Sequence, residues 1–167
     1  RLSRVQELPE VEQAYRATSS PLGFGMVGSN SWFYQDADSV LGWKFGFRPD
    51  SRMFEVYGMR SLTPDVSTSE LTHDCNQDES IILTRSFALA VFGTIDVAGR
   101  LLRSQKQDYS SDKITWVDTW YRVRAVVEDV RYAPYDRDMN IVFTCTSGDG
   151  DCAPIILRLR EGFDARR

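Results

Sequence analysis

Strict alternation of large apolar and small or charged residues between 41 and 47 constrains the fold most. Leu41, Trp43, Phe45 and Phe47 are separated by Gly, Lys and Gly, which puts all four on one face of an extended strand. Residues 48–51 (Arg-Pro-Asp-Ser) predict a turn, because proline presets φ at its second position. We therefore expect a hairpin over residues 41–62, with the returning strand starting at about Phe54.

Other segments extend this β pattern. Residues 22–34 predict a loop that enters a first strand, and strands are also indicated at residues 81–92 and 94–102. Residues 114–132 are rich in β-branched and aromatic side chains, and we expect a long strand with a bulge or turn near residues 128–129. Residues 139–145 and 155–159 predict a final pair of strands.

The remaining segments are predicted as a helix, loops and a tail. Residues 9–18 predict a short helix, since Pro9 suits a first helical position. Residues 63–80 hold five acidic residues and no Lys or Arg, which indicates an acidic loop, and residues 103–113 and 162–167 predict a loop and a tail. The sequence thus predicts a single all-β domain over residues 1–167. We expect an antiparallel meander closed into a small barrel, with a sandwich as the second choice.

Composition excludes several classes of protein. Of the 167 residues, 42% are hydrophobic and 12% aromatic, so a sizeable core is available and disorder is not expected. The net charge is −4 and basic residues do not cluster, which argues against nucleic acid as a partner. The longest uncharged apolar stretch, residues 86–95, is too short for a transmembrane helix. Peripheral membrane association stays open.

Catalytic motifs are scarce. His73 is the only histidine, which excludes most hydrolase triads and any multi-histidine metal site. We predict no catalytic residue and no metal site, and the sequence names no cofactor. Cys145 and Cys152 flank a short polar loop and are the candidate disulfide, which would require an oxidising compartment. The alternative is a pair of reduced, partly buried thiols.

Aromatic residues supply the candidate binding site. Trp116 and Trp120 share a strand face if the register holds, and Trp32 and Trp43 lie on early strands. If these tryptophans face the interior, they would line a pocket for a hydrophobic small molecule. The alternative is that the same tryptophans fill the hydrophobic core and bind no ligand.

Two families resemble this chain in short motifs. Gly28-Ser-Asn-Ser-Trp32 before a β meander, with an arginine on the last strand, resembles the lipocalin-type barrels, although three residues rather than one separate Gly28 from Trp32. That resemblance implies that Arg158 (or Arg160) packs over Trp32. Residues 135–141 and 155–158 resemble the plastid lipid-associated (fibrillin) proteins. Together the resemblances imply a carrier of apolar ligands or a membrane-associated role, and the second implies a plastid.

Two functions remain at this point. The first is a non-catalytic binding or assembly domain, which holds a hydrophobic molecule or docks as an accessory subunit on a larger, membrane-associated complex. The second is a barrel-type lyase or isomerase acting on a lipid-like or pigment-like substrate, with Cys75, His73 and interior tyrosine or arginine residues as candidates. The scarcity of catalytic motifs favours the first.

Overall fold

Three short α-helices, one 3-10 helix and eight strands are the regular elements in the described part of the chain. The computed structural model describes residues 2–16, 27–33, 40–47, 52–72, 80–108, 115–129, 140–145 and 155–162. The elements in chain order are α1 (Leu2–Gln6), β1 (Val11–Arg16), β2 (Val27–Phe33), β3 (Val40–Phe47), α2 (Met53–Val56), a 3-10 helix (Thr68–Glu70), β4 (Ser80–Thr84), α3 (Arg85–Phe92), β5 (Leu101–Asp108), β6 (Thr115–Val127), β7 (Ile141–Cys145) and β8 (Ile155–Leu159). The predicted predominance of β-structure is confirmed.

The strands form two sheets, and their order differs from the prediction. β1 and β8 make an antiparallel pair. The larger sheet has the order β2-β3-β7-β4-β6-β5, and β5 also pairs with β2 over three residue pairs. Two of its pairings, β3 with β7 and β4 with β6, are parallel. The predicted antiparallel meander is therefore wrong, because parallel neighbours require crossover connections that a meander lacks, although the six strands of the larger sheet do close on themselves through β5 and β2.

Only the first half of the predicted hairpin over residues 41–62 is present. β3 is a strand, but its partners are β2 and β7. The predicted returning strand begins instead as the helix α2, which buries Met53, Phe54 and Val56. These side chains enter a core cluster with residues of β4, β6 and β7, and Ile156 of β8 packs against the same cluster. A helical turn thus links the two sheets where a strand was expected.

The predicted helix over residues 9–18 is also wrong. The helix α1 ends before Pro9, and the segment after it is the strand β1. Its partner is β8 at the far end of the chain, with Ala14 opposite Leu157 and a register shift between Val11 and Gln13. Local spacing suits either structure for so short a segment, and the distant partner decides it.

Residues 81–92 divide into a strand and a helix. β4 ends at Thr84 and α3 follows directly, so the second half of the predicted strand is wrong. Asp129 accepts hydrogen bonds from the Ser86 backbone N–H and hydroxyl, both at 2.8 Å, and so satisfies the helix N-terminus. Gly93 ends α3 with a φ of 69°. The helix buries Phe87 and Ala88 against the larger sheet.

The C-terminal half contains confirmed strands with unexpected partners. β6 fulfils the prediction of a long strand, but its irregularity lies opposite the Ile81–Ile82 step and not near residues 128–129. The predicted loop over residues 103–113 is strand as far as Asp108. The predicted strands at residues 139–145 and 155–159 are present as β7 and β8. They belong to different sheets and do not pair with each other.

Candidate docking surface

The first half of β6 lies beside β5, whose residues 103–105 pair on their other edge with β2, so only residues 106–108 and 115–117 extend beyond the described pairings of the larger sheet. Within the described ranges, residues 115–120 pair only with β5, whereas from Arg122 onward β6 also pairs with β4. Every side chain from 115 to 120 is exposed or half-buried, whereas Val123 and residues 125–127 are fully buried. We call residues 115–120 of β6, with their β5 partners, the arm.

One face of the hairpin carries large exposed apolar side chains. Trp116 lies opposite Gln107, Trp120 opposite Arg103, and Leu101 opposite Arg122, and directly opposed residues share a face. Trp116 is 60% exposed, Trp120 53% and Leu101 47%. The opposite face contributes Leu102, Tyr121 and Val123 to the core. We call the outward side of β5 and β6 from Leu101 to Arg122 the tryptophan face.

Charged groups lie among these apolar side chains. Asp118 stands between the two tryptophans in the alternation of β6, and its Oδ2 atom accepts a hydrogen bond from Arg103 Nη1 at 3.4 Å. Arg122 donates from Nη1 to the backbone carbonyl of Gly99 at 3.3 Å. The tryptophan face therefore combines aromatic side chains, one ion pair and one further guanidinium. Tryptophan and arginine are the residues most enriched in the energetic centres of protein interfaces.

Of the four predicted binding tryptophans, the structure describes the side chains of Trp116 and Trp120. Trp116 and Trp120 share a strand face, as predicted, but that face points to solvent. Trp32 lies on β2 opposite Val40, and Trp43 lies on β3 opposite Ser29. Their side chains are outside the described part of the structure, so their role in binding stays a prediction.

Arg158 lies on β8, in the two-stranded sheet, and not in the larger sheet that contains Trp32. Its Nε atom is 3.4 Å from Glu12 Oε2, and its Nη1 atom donates to the Glu55 carbonyl at 3.3 Å. These two contacts link β8 to β1 and α2. The stacking on Trp32 that the lipocalin resemblance implied is not among the described contacts of Arg158.

The cysteines are described in part. Cys145, at the end of β7, is buried and disulfide-bonded, and its partner lies outside the described residues. Cys152, the predicted partner, and Cys75 both fall outside them, as does His73. The pairing of Cys145 with Cys152 stays a prediction.

A cleft of about 330 Å³ lies beside β1. Gln6, Glu12, Gln13 and Arg52 give it a mostly polar lining, together with Val11 and Ala14. The Oε1 atom of Gln13 is buried without a hydrogen-bond partner. Neither Trp116 nor Trp120 is among the described residues that line this cleft. A search of the described ranges finds no group of three or more potential metal ligands.

Sequence reasoning missed Leu101, Arg103, Asp118 and Arg122. The polar composition of residues 103–113 led to a loop prediction, so the strand opposite Trp116 and Trp120 was not identified. The available signal was the alternation of Leu101, Arg103 and Gln105 with Leu102 and Ser104. When β5 pairs with β6 in the observed register, Leu102 and Ser104 lie on the core side, and Leu101, Arg103 and Gln105 lie on the tryptophan face.

Comparisons with known proteins identify the fold. No family model matches the chain, and no curated protein matches its sequence. Among solved structures, the periplasmic region of MacB from Actinobacillus actinomycetemcomitans is similar over 98% of this chain and 65% of that one, at 13% identity and a TM-score of 0.54. The extracellular domain of the noncanonic ABC-type transporter YknZ from Gram-positive bacteria aligns over 86% of this chain and 59% of that one, at 10% identity and a TM-score of 0.49.

These findings correct the earlier resemblances. The fold is similar to that of a periplasmic domain, so the lipocalin-like and fibrillin-like interpretations are wrong, and the plastid location implied by the second loses its support. The chain spans about 65% of the MacB region that it resembles. No helix among the described residues is both long and apolar enough to span a membrane.

Proposed function

We propose that this chain is a non-catalytic assembly domain, which docks through its tryptophan face onto another protein of a larger, membrane-associated complex. The observation that carries this proposal is the exposure of Trp116 and Trp120 on one face of the arm, at 60% and 53%, with Asp118 between them. Leaving two indole rings in water forgoes the free energy that their burial would contribute, and large apolar side chains exposed on one face are typical of interaction sites.

The fold and the disulfide support a location outside the cytoplasm. The fold is similar to that of the periplasmic region of MacB. The disulfide at Cys145 fits such a compartment, since disulfides persist in oxidising environments and are rare in the cytosol. The two observations are independent, because one concerns the path of the backbone and the other a side chain.

A protein fits the tryptophan face better than a lipid surface or a small molecule. The ion pair of Arg103 and Asp118 lies among the apolar side chains, and the hydrocarbon core of a bilayer, which would have to cover those side chains, offers no partner to these charges once water is removed. A small apolar ligand requires a concave site, and this face is the outer side of a hairpin. Protein interfaces commonly place such polar pairs beside aromatic anchors.

The double variant Trp116→Ala/Trp120→Ala tests this proposal. We expect the complex isolated through a tag on this chain to lose its partner proteins at least about tenfold, since each residue at an interface centre contributes about 2 kcal/mol or more. The matched control is Leu89→Ala/Leu157→Ala, which removes two exposed leucines from other elements. Both variants should unfold at the wild-type temperature. Retention of the same partners by the tryptophan variant, in the same amounts, would contradict the proposal.

A further inference from the structure

We propose that the partner of the tryptophan face is a protein segment that presents a carboxylate to Arg122, beside apolar side chains that pack on Trp120 and Leu101. This inference rests on the proposed docking function and adds the chemistry of the partner. It follows from the charges on the face.

Among the described residues of the face, Arg122 is the charged group without a described counter-ion. It is exposed, lies opposite Leu101, and follows Trp120 by two residues, which places their Cα atoms about 7 Å apart on the same side of β6. Its described hydrogen bond goes to the neutral carbonyl of Gly99. By contrast, Arg103 already faces Asp118 at 3.4 Å. The described ionic groups of the face therefore sum to one net positive charge.

Docking would remove water from this guanidinium. A charge that loses its hydration without gaining a partner carries a large free-energy cost, and a carboxylate on the incoming surface offsets that cost through a charge-assisted hydrogen bond. Apolar groups of the partner would cover Trp120 and Leu101 on either side of Arg122. Charge complementarity of this kind also speeds association and discriminates against basic partners.

A second copy of this chain is a poorer occupant. Its tryptophan face would bring a second Arg122 without a counter-ion, and its described carboxylate, Asp118, is already engaged by Arg103. Pairing two identical faces would therefore bury two guanidinium groups with no new carboxylate between them. Like charges brought together in an interface are destabilising, which favours an acidic segment of a different protein.

Two designed peptides test the inference on the full chain. The first is an 18-residue amphipathic helix with leucine on one face and glutamate on the other, and the second replaces every glutamate with lysine. We expect the acidic peptide to bind about three- to fivefold more tightly in a fluorescence-anisotropy titration, as one partly exposed ion pair allows. Arg122→Gln should abolish this preference and Arg122→Lys should largely retain it. The control Arg85→Gln, which removes an exposed guanidinium at the start of α3, should leave the preference unchanged.

The outcomes separate this inference from the docking proposal. Equal binding of both peptides, lost in Trp116→Ala/Trp120→Ala, would overturn the acidic preference and leave the docking face intact. Peptide binding that is unchanged in Trp116→Ala/Trp120→Ala would count against the docking face itself. Concentration-dependent dimerisation through the same tryptophans, measured by analytical ultracentrifugation, would overturn the inference in favour of a second copy. Tryptophan-dependent binding to anionic vesicles, with no binding to either peptide, would overturn it in favour of a membrane.

Discussion

Replacement of Phe143 by alanine is expected to lower the free energy of unfolding by about 3–5 kcal/mol, the range for phenylalanine truncations in a packed core. Phe143 is fully buried on β7 and contacts Phe54 of α2 edge to face, with ring centroids 5.2 Å apart and ring planes at 77°. Its removal leaves a cavity between the helix and the larger sheet. A loss of this size is a large part of the total stability of a typical domain, about 5–15 kcal/mol.

Urea unfolding measures this effect, with two comparison variants. Phe143→Leu keeps much of the side-chain volume and should cost clearly less than Phe143→Ala. Leu157→Ala, at a side chain 41% exposed on β8, should change stability by about 0.5 kcal/mol or less. Equal and small effects for Phe143→Ala and Leu157→Ala would show that α2 does not pack on the sheet as described.

Replacement of Thr84 by valine is expected to lower the free energy of unfolding by about 1–3 kcal/mol, although the two side chains have nearly the same shape. Thr84 is fully buried where β4 gives way to α3. Its Oγ1 atom accepts a hydrogen bond from the Ile141 backbone N–H at 3.1 Å and donates one to the Ile141 carbonyl at 3.3 Å. Valine would leave both backbone groups buried without this partner.

Thr84→Ser is the matched control, because it keeps the hydroxyl and removes only the methyl group. We expect thermal unfolding of Thr84→Val at a lower temperature than Thr84→Ser, since an unsatisfied buried polar pair costs more than one methyl group. A serine variant less stable than the valine variant would show that packing of the methyl group, and not the hydroxyl, joins β4 to β7.

Sequence patterns predicted strands best where apolar and polar residues alternated clearly, or where β-branched and aromatic residues were frequent. β3, β6, β7 and β8 all follow from period-two spacing or from β-branched and aromatic composition. The failures came where a short apolar run suited two structures. Residues 53–56 fit a helical turn as well as a strand, and residues 85–92 are rich in alanine and leucine, which favour helix once Asp129 satisfies the helix N-terminus.

The order of the strands could not be read from the chain. β1 pairs with β8 across the length of the sequence, and β3 and β4 take β7 and β6 as parallel neighbours. No local sequence pattern indicates these strand pairings, because they depend on which arrangement of strands and helices buries all the apolar faces at once. The tryptophan face shows the same limit. Spacing correctly placed Trp116 and Trp120 on one side of a strand, but whether that side faces core or water depends on β5, which was predicted as a loop.

Site-specific photo-crosslinking at position 116 tests the central claim most directly. A photoreactive phenylalanine analogue in place of Trp116 should, in the cells that make the protein, form a discrete crosslink to a membrane-associated protein, and mass spectrometry should map it to an acidic and apolar segment of that protein. The same analogue at Leu157, also exposed but on β8, should not form this product. Crosslinks of equal yield at both positions, or crosslinks from position 116 to lipid alone, would contradict the claim that the tryptophan face docks onto a protein.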